Sequence, residues 1–580
     1  MSGAHPTIRR REPAAPGDWP PEFPPLLRRI HAARGATCVE QASPRLAALH
    51  PPAALSNIDA ATGLLTEAIA GGGRILVVGD FDCDGATACA VGVRGLRLLG
   101  AADVVHAVPN RMLHGYGLSP ALVAELAPLQ PRLLVTVDHG IACHAGIAAA
   151  KALGWRVLVT DHHLPGDALP PADAIVDPNL PGDAFPSKML AGVGVMFYVL
   201  LALRARLRDT GRLPVPEPDL SGLLDLVAVG TIADLVPLDA NNRALVGAGL
   251  RRLRAGRGCA GLRALLEVCG CDAATLAADA VAFRVAPRIN AAGRLEDMAL
   301  GIECLLCDEP SRARELAQAL HAINAERQGL QQHMVDEAEA MLAASNLGMD
   351  ATLPRALCVH DPSWHAGVVG LVASKLKERA HRPVAAFAPA APDDAAGGGA
   401  SVGVLRGSVR SIPGLHVRDV LAAIDSRHPG LIERFGGHAM AAGLTLSADA
   451  LPAFERAWRE QVEAALDPAL LRAELWSDGE LAPHEFDRGH AELLRDGGPW
   501  GQGYPEPLFD GVFDLIGSRV VGERHLKLRL RQDTLALDAI HFGGAGQPCA
   551  ARMRIAYRLQ PDDYRGGDAI QLLVVHRQPA

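Results

Sequence analysis

The sequence predicts an α/β protein organised on a parallel, doubly wound sheet, with a second lobe beyond a long connecting helix and an OB-type β-barrel at the C-terminus. Three observations carry this. Between residues 70 and 180, short apolar runs alternate with Ala- and Leu-rich helical stretches, the pattern of parallel strands joined by crossover helices. Asp308 and Pro310 give a helix-start signal, and Leu316, Leu320, Ile323, Leu330, Met334 and Met341 then recur at helical spacing until Gly348, which describes one long helix with a single apolar stripe. The last hundred residues hold five strand-like runs, at 512–516, 526–530, 535–542, 553–559 and 571–576, separated by turn residues as in a small barrel.

At 580 residues the chain is too long for one core and divides into several domains. With 49% hydrophobic and 21% charged residues it reads as globular, and a net charge of -9 decides nothing about nucleic acid, because grip depends on where charge lies. Eleven scattered cysteines lack the spacing of a secreted scaffold and predict reduced cytoplasmic thiols. Cys269-x-Cys271 and Cys304-x-x-Cys307 have no second pair to complete a zinc site. No apolar segment follows Arg9-Arg10-Arg11, so no secretory signal is expected. The longest uncharged apolar run, 190–203, is shorter than the ~20 residues needed to cross a bilayer and predicts a buried helix. No membrane association is expected.

In chain order, residues 1–50 are rich in Pro and Arg and predict a partly ordered lead-in. Strands follow at 75–78, 104–108, 133–137, 157–160 and 175–176, with helices at 87–99, 120–126 and 145–153. In a doubly wound sheet, ligands sit beyond the carboxyl ends of the strands. The first strand runs into Asp80-Phe-Asp82-Cys-Asp84-Gly85, the third ends at Asp138-His139-Gly140, and the fourth at Asp161-His162-His163. One aspartate after a strand usually caps a helix or makes a turn. Three at alternate positions, in an extended chain, point one way, with Cys83 turned from them, and their mutual repulsion calls for a cation. Asp234 ends the apolar helical stretch that begins at Asp225, where it opposes the helix dipole; a solvated helix end and a site role both fit it. Carboxylates with one or two imidazoles suit Mn²⁺ or Mg²⁺. Five or six such ligands predict two ions, an arrangement suited to displacement at phosphorus.

Asp80-x-Asp82-x-Asp84-Gly85, Thr136-Val-Asp138-His-Gly140, Asp161-His162-His163 and Gly230-Thr-Ile-Ala-Asp234 together resemble the four motifs of the DHH phosphoesterase family. Trp364-His365-x-Gly367-Val-Val-Gly370 and Phe435-Gly436-Gly437-His438-Ala-Met-Ala-Ala-Gly443 resemble the DHHA1-type α/β domain that accompanies it. The resemblance implies a lead-in (1–50), a DHH catalytic domain (51–307), a connecting helix (308–348), a DHHA1-type domain (349–468) and an OB domain (469–580). It implies that Asp82, Asp84, Asp138, His162 and Asp234 hold two Mn²⁺ or Mg²⁺ ions, that Asp138 bridges them, and that His163 stands at the scissile phosphate or the metal edge. Asp80 matches either layer of the site less closely. Arg111, Arg288, Asn290, Ser408 and Arg410 match phosphate-holding segments, and His438 a substrate contact; Arg111, Arg288, Ser408 and Arg410 would pocket a 5′ end. Arginine forks and glycine-flanked serines suit phosphate oxygens on chemical grounds too.

The implied activity is a metal-dependent exonuclease acting 5′→3′ on single-stranded DNA and releasing 5′ mononucleotides in repair and recombination. It would act as a cytoplasmic monomer beside a single-strand-binding protein and a helicase, with a narrow cleft between lobes excluding duplex. A DHH phosphodiesterase acting on short oligonucleotides or cyclic dinucleotides, or a non-catalytic DNA-binding scaffold, are the alternatives. Two positions depart from the family pattern, Tyr504 where Asn is usual and Asn242 where Glu is common, and both bear on the barrel hinge rather than the chemistry. Arg519, Arg524, Lys527, Arg529 and Arg531, against the single acid Glu523, suit a groove that follows a nucleic-acid backbone or a solvated strand face. Arg243, Arg251, Arg252, Arg254 and Arg257 fit a DNA path or a solvated helix face equally. Residues 388–400 are low in complexity and predict a flexible surface loop.

Overall fold

The computed structural model describes residues 6–12, 17–111, 113–344, 354–390 and 403–580. The chain divides into two compact units, Arg10–Asn324 with Ser477–Ala580, and Met1–Arg9 with Ala325–Trp476.

In the larger unit, five parallel strands lie in the order Val104–Ala107, Ile75–Val78, Leu133–Val137, Arg156–Thr160, Ala174–Val176. Alternate side chains enter two separate cores. Ile75, Val77, Val135 and Leu158 pack beneath the helices Cys83–Leu98 and Gly192–Asp209, while Leu76, Val78, Leu134 and Val159 pack with Leu122 and Ile147 of the helices Pro120–Leu126 and His144–Ala152. Strands buried on both faces explain why the runs are continuously apolar. The sheet order is second-first-third-fourth-fifth, so the chain reverses direction across the sheet between the first and third strands. That switch point opens a crevice at their carboxyl ends.

The extended reading of residues 80–84 is overturned. A helix begins at Cys83 rather than at 87, because Asp82 is its N-cap and accepts the Gly85 N–H at 3.0 Å. Asp80 lies in the turn and Asp84 in the first helical turn, so a helix start, not strand alternation, aims these side chains. Cys83 is buried in that same turn.

The expectation for the lead-in also needs correction, since residues 17–50 are folded. Helix Pro25–Ala32 buries Leu26, Leu27 and Ile30 in the core of the larger unit. Arg34 forms a two-pronged ion pair with Asp478, at 2.8 and 3.0 Å, and Arg10 another with Asp510, at 2.9 and 3.0 Å. These pairs tie the start of the chain to its C-terminal segment, the residues from Ser477 to Ala580.

Those residues form a closed five-stranded barrel in the order Phe509–Val521, His525–Gln532, Leu535–His541, Ile570–Pro579, Arg552–Pro561. Leu526, Leu528 and Leu530 point inward and are buried, which leaves Lys527, Arg529 and Arg531 on the outer surface. The smaller unit holds a mixed five-stranded sheet, Arg434–Gly437, Ala441–Ser447, Val404–Arg410, Val384–Pro389, Leu357–His360, with a core of Phe387, Phe454 and Trp458.

The long helix spans Pro310–Ala344, and Leu316, Leu320 and Met334 of its stripe are buried while Leu330 is exposed. Gly348 and residues 391–400 of the low-complexity stretch lie outside the described residues, and residues 388–389 end the strand Val384–Pro389. Among the described residues no helix is long and apolar enough to cross a membrane.

Candidate metal centre

The crevice at the switch point gathers Asp80, Asp82, Asp84, Asp138, His162, His163 and Asp234. Ligand-capable atoms fall into three overlapping sets, each within 4.8 Å: Asp80 with Asp82 and Asp138; Asp138 with His162 and His163; Asp84 with His162 and Asp234. Asp138 joins the first two sets and His162 the last two. His162 Nε2 lies 3.1 Å from Asp138 Oδ1 and 3.5 Å from Asp234 Oδ2.

Local backbone chemistry aims these groups. Asp138, just beyond the third strand, holds φ at 65°, a left-handed conformation that aspartate tolerates better than most residues. Asp84 accepts the backbone N–H groups of Gly192 (2.6 Å) and Val193 (3.0 Å), the first two residues of helix Gly192–Asp209. A Cβ on Gly192 would stand 2.5 Å from Asp138 Cβ, so only glycine lets this helix start close over both carboxylates. Asp234 is the C-cap of helix Leu224–Ala233, as its placement against the dipole anticipates. His139 is buried behind the site, with Nε2 3.0 Å from the Val78 carbonyl, so it ties the first strand to the third.

Electrostatics favour cations here. Burial and then the charge of Asp82 push Asp80 up to about 8 and Asp84 up to about 7. Burial and then Asp84 hold Asp138 and Asp234 well above the usual carboxylate range. Burial, reinforced by His163, lowers His162 to about 4, which keeps its imidazole neutral and able to ligate. Asp80 Oδ1, Asp138 Oδ1 and His162 Nε2 are buried and complete no hydrogen bond. Oxygen-rich donors with one imidazole and unused buried lone pairs fit two hard divalent ions.

His163 differs from His162. Burial lowers its pKa, but a 2.8 Å hydrogen bond between its Nδ1 and Asp161, with the charges of Asp161, Asp234 and Asp80, raises it to about 9. Asp161 also accepts the N–H groups of Ile141, His162 and His163. No role was expected of Asp161, and the structure makes it the group that orients His163. Asn179, which donates to the His162 carbonyl at 2.6 Å, had no signal beyond a polar residue in a loop.

The expected phosphate-holding residues take distinct places. Arg111 sets its guanidinium 3.7 Å from the Phe81 ring centre and donates to the Gly293 carbonyl at 3.0 Å, beside the metal loop. Asn290 lies there too, accepting the Cys83 N–H at 2.8 Å. Arg288, two residues earlier on the same helix, takes a different direction, donating to His321 Nδ1 at 3.0 Å and to the Arg284 carbonyl. In the smaller unit, Arg410 donates to Ser408 Oγ at 2.8 Å beneath the start of helix Val369–Ala380, and a Cβ on Gly370 would come within 3.0 Å of both side chains. His438 follows Gly437 (φ 143°) in the turn between Arg434–Gly437 and Ala441–Ser447, and its N–H donates to the Ala441 carbonyl at 2.8 Å. Trp364 donates to Glu337 at 2.9 Å, and His365 accepts the Gly367 N–H at 3.1 Å.

Of the second basic cluster, Arg243 is buried, donating to backbone carbonyls and lying 3.8 Å over the Tyr504 ring. It belongs neither to a DNA path nor to a solvated face. Arg251 and Arg254 line a cavity of about 770 Å³ with Leu235, Phe283 and Trp500. The carboxylate cluster lies outside that cavity.

A cluster of aspartates and one imidazole suited to hold divalent ions, at the switch point of a parallel sheet, is the kind of centre a metal-dependent phosphoesterase has. The DHH family N-terminal domain matches residues 74–231, the DHHA1 domain residues 353–464 and the RecJ OB domain residues 477–576. The single-stranded-DNA-specific exonuclease RecJ of Escherichia coli (strain K12) is 48% identical over 576 residues, which cover 98% of each chain. That of Thermus thermophilus is 37% identical over 540 residues, covering 90% of this chain and 73% of its own. Among solved structures, RecJ from Thermus thermophilus in complex with Mn²⁺ superposes with TM-score 0.79 at 32% identity, covering 99% of this chain and 80% of the other, and the complex with Mg²⁺ with TM-score 0.74 at 30% identity, covering 99% and 79%. The chain belongs to the RecJ family of DHH phosphoesterases.

Proposed function

We propose that this chain is a Mn²⁺- or Mg²⁺-dependent exonuclease that degrades single-stranded DNA 5′→3′ and releases 5′ mononucleotides, in DNA repair and recombination. The convergence of Asp82, Asp84, Asp138, His162 and Asp234 on one crevice carries the reading, and the relatives that share nearly the whole chain are single-stranded-DNA-specific exonucleases. These five residues would hold two ions. Bound there, the ions supply an acidified water and charge stabilisation for the attacking and leaving oxygens.

The chain's own groups do the rest. The Gly192 and Val193 amides fix Asp84. His163, oriented by Asp161 and raised by it toward the charged form, would present a donor to a phosphate oxygen. Arg111, braced on Phe81, adds a second cation beside the metal loop. Eleven unpaired cysteines support action in the reducing cytoplasm. The reading includes a monomer acting on strands that a helicase opens and a single-strand-binding protein covers; the need of a single-strand enzyme for separated strands supports it.

Single strands labelled at either end, with and without a 5′ phosphate, test this. The 5′ label should appear first, as mononucleotide, and Asp138→Ala should lower the rate by about three orders of magnitude, the loss of several kcal/mol of charge stabilisation. Release beginning at the 3′ label overturns the polarity. Full activity of Asp138→Ala in excess Mn²⁺ overturns the site.

A further inference from the structure

Helix Ala286–Leu295 lies against the metal loop and makes three contacts with it and its neighbour Arg111. Asn290 Oδ1 accepts the N–H of Cys83, the first residue of the helix that carries Asp84, at 2.8 Å. Three residues on, Gly293 packs so tightly on the loop that a Cβ there would stand 2.0 Å from the Phe81 carbonyl oxygen. The Gly293 carbonyl in turn accepts from Arg111 Nε at 3.0 Å. Residues at i and i+3 share a helix face, so one face meets both the backbone between Asp80 and Asp84 and the arginine beside it. A π-helical segment, Val281–Val285, runs directly into this helix.

We infer that Asn290 is a positioning residue for the metal site: it anchors the N-terminus of the aspartate-bearing helix and acts through Asp82 and Asp84 rather than by touching DNA. Asp82 already caps the third N–H of that helix, at Gly85, with one oxygen. The first N–H, at Cys83, is met by Asn290 across 207 residues of sequence. Without that acceptor the helix start loses a cap at the point where two ligand carboxylates leave it. The inference rests on the nuclease reading above for what the site does, but not for how it is tested.

Direct Mn²⁺ binding, measured by calorimetry on the full chain without DNA, reads the role. Asn290→Ala should weaken Mn²⁺ by about ten-fold, as loss of a ligand-supporting hydrogen bond commonly does. Its DNA cleavage should show a lowered kcat that recovers with added Mn²⁺, at an unchanged KM for DNA. Asn290→Asp keeps the acceptor for the Cys83 N–H and should bind Mn²⁺ at least as tightly as the unmodified chain. Unchanged Mn²⁺ binding in Asn290→Ala with a raised KM overturns the inference in favour of a substrate contact. Equal weakening in Asn290→Ala and Asn290→Asp overturns it as well. Should the unmodified chain bind Mn²⁺ yet cleave no DNA, the nuclease reading fails while the binding comparison still judges Asn290.

Discussion

Gly192 has no side chain, and the geometry of two carboxylates depends on it. Its N–H holds Asp84, and its bare Cα lets helix Gly192–Asp209 begin against Asp138. Gly192→Ala should lower DNA cleavage by about 100-fold, the scale expected when a reacting group is displaced by about 1 Å, with the fold intact by circular dichroism. Wild-type rates in this variant would show that the site yields. His31 gives a pH-dependent counterpart away from the metals. Burial, then the charges of Arg34 and Arg243, push it down to about 3, and it shares a 2.7 Å hydrogen bond with Tyr504. The unfolded chain therefore takes up a proton near pH 6.5 that the folded chain refuses, so this group's contribution is present above pH 6.5 and is lost as pH falls toward 3. The loss is about 1.4 kcal/mol per pH unit. His31→Phe should flatten the fall in stability between about pH 7.5 and 5.5 in urea unfolding; an unchanged slope would show that His31 is protonated in the folded chain. Tyr504, read from sequence as a departure at the hinge, thus belongs to a buried cluster with His31, Trp500 and Arg243, a partnership that no local pattern reveals.

At the scale of elements, the barrel's basic strand is less uniform than its composition. Arg529 pairs with Asp538 at 2.8 Å and Arg531 with Asp514 at 3.4 Å, whereas Arg519 and Lys527 face each other across the ladder with no acid paired to them among the described residues. Like charges opposite one another cost stability, which an anionic ligand would offset. Arg519→Ala and Lys527→Ala should each reduce the slope of log affinity for single-stranded DNA against log salt by about 0.7, and Arg531→Ala by less. Equal effects at all three positions would show that DNA displaces the acidic partners. The alternation of basic residues was legible because outward positions on a strand repeat every two residues. The neutralising acids were not, since they sit on neighbouring strands whose register only pairing sets. The turn after Val78 failed in a similar way: alternating aspartates read as extended chain, but a side-chain cap competes for the same residues and begins a helix.

For the whole molecule, one apolar core passes from the lead-in through the parallel sheet to the barrel, placing Leu26, Val77, Leu238, Trp500 and Phe509 in a single cluster. The barrel is therefore part of the larger unit's stability. A chain ending at Trp476 should melt roughly 10 °C or more below the full chain, as loss of several kcal/mol of burial requires. Equal melting temperatures in calorimetry would show the barrel to be an appended module. The sequence alone determined the alternation of strands and helices, the arrival of acids and imidazoles at strand ends, and the five-stranded character of the C-terminus, because period, turn chemistry and strand direction are set within a few residues of each position. Only the tertiary structure decided that the Gly192 and Val193 amides hold Asp84, that Asn290 reaches Cys83, and that Arg243 is buried under Tyr504. Those contacts join residues more than a hundred positions apart, and packing, not local pattern, sets which of them meet.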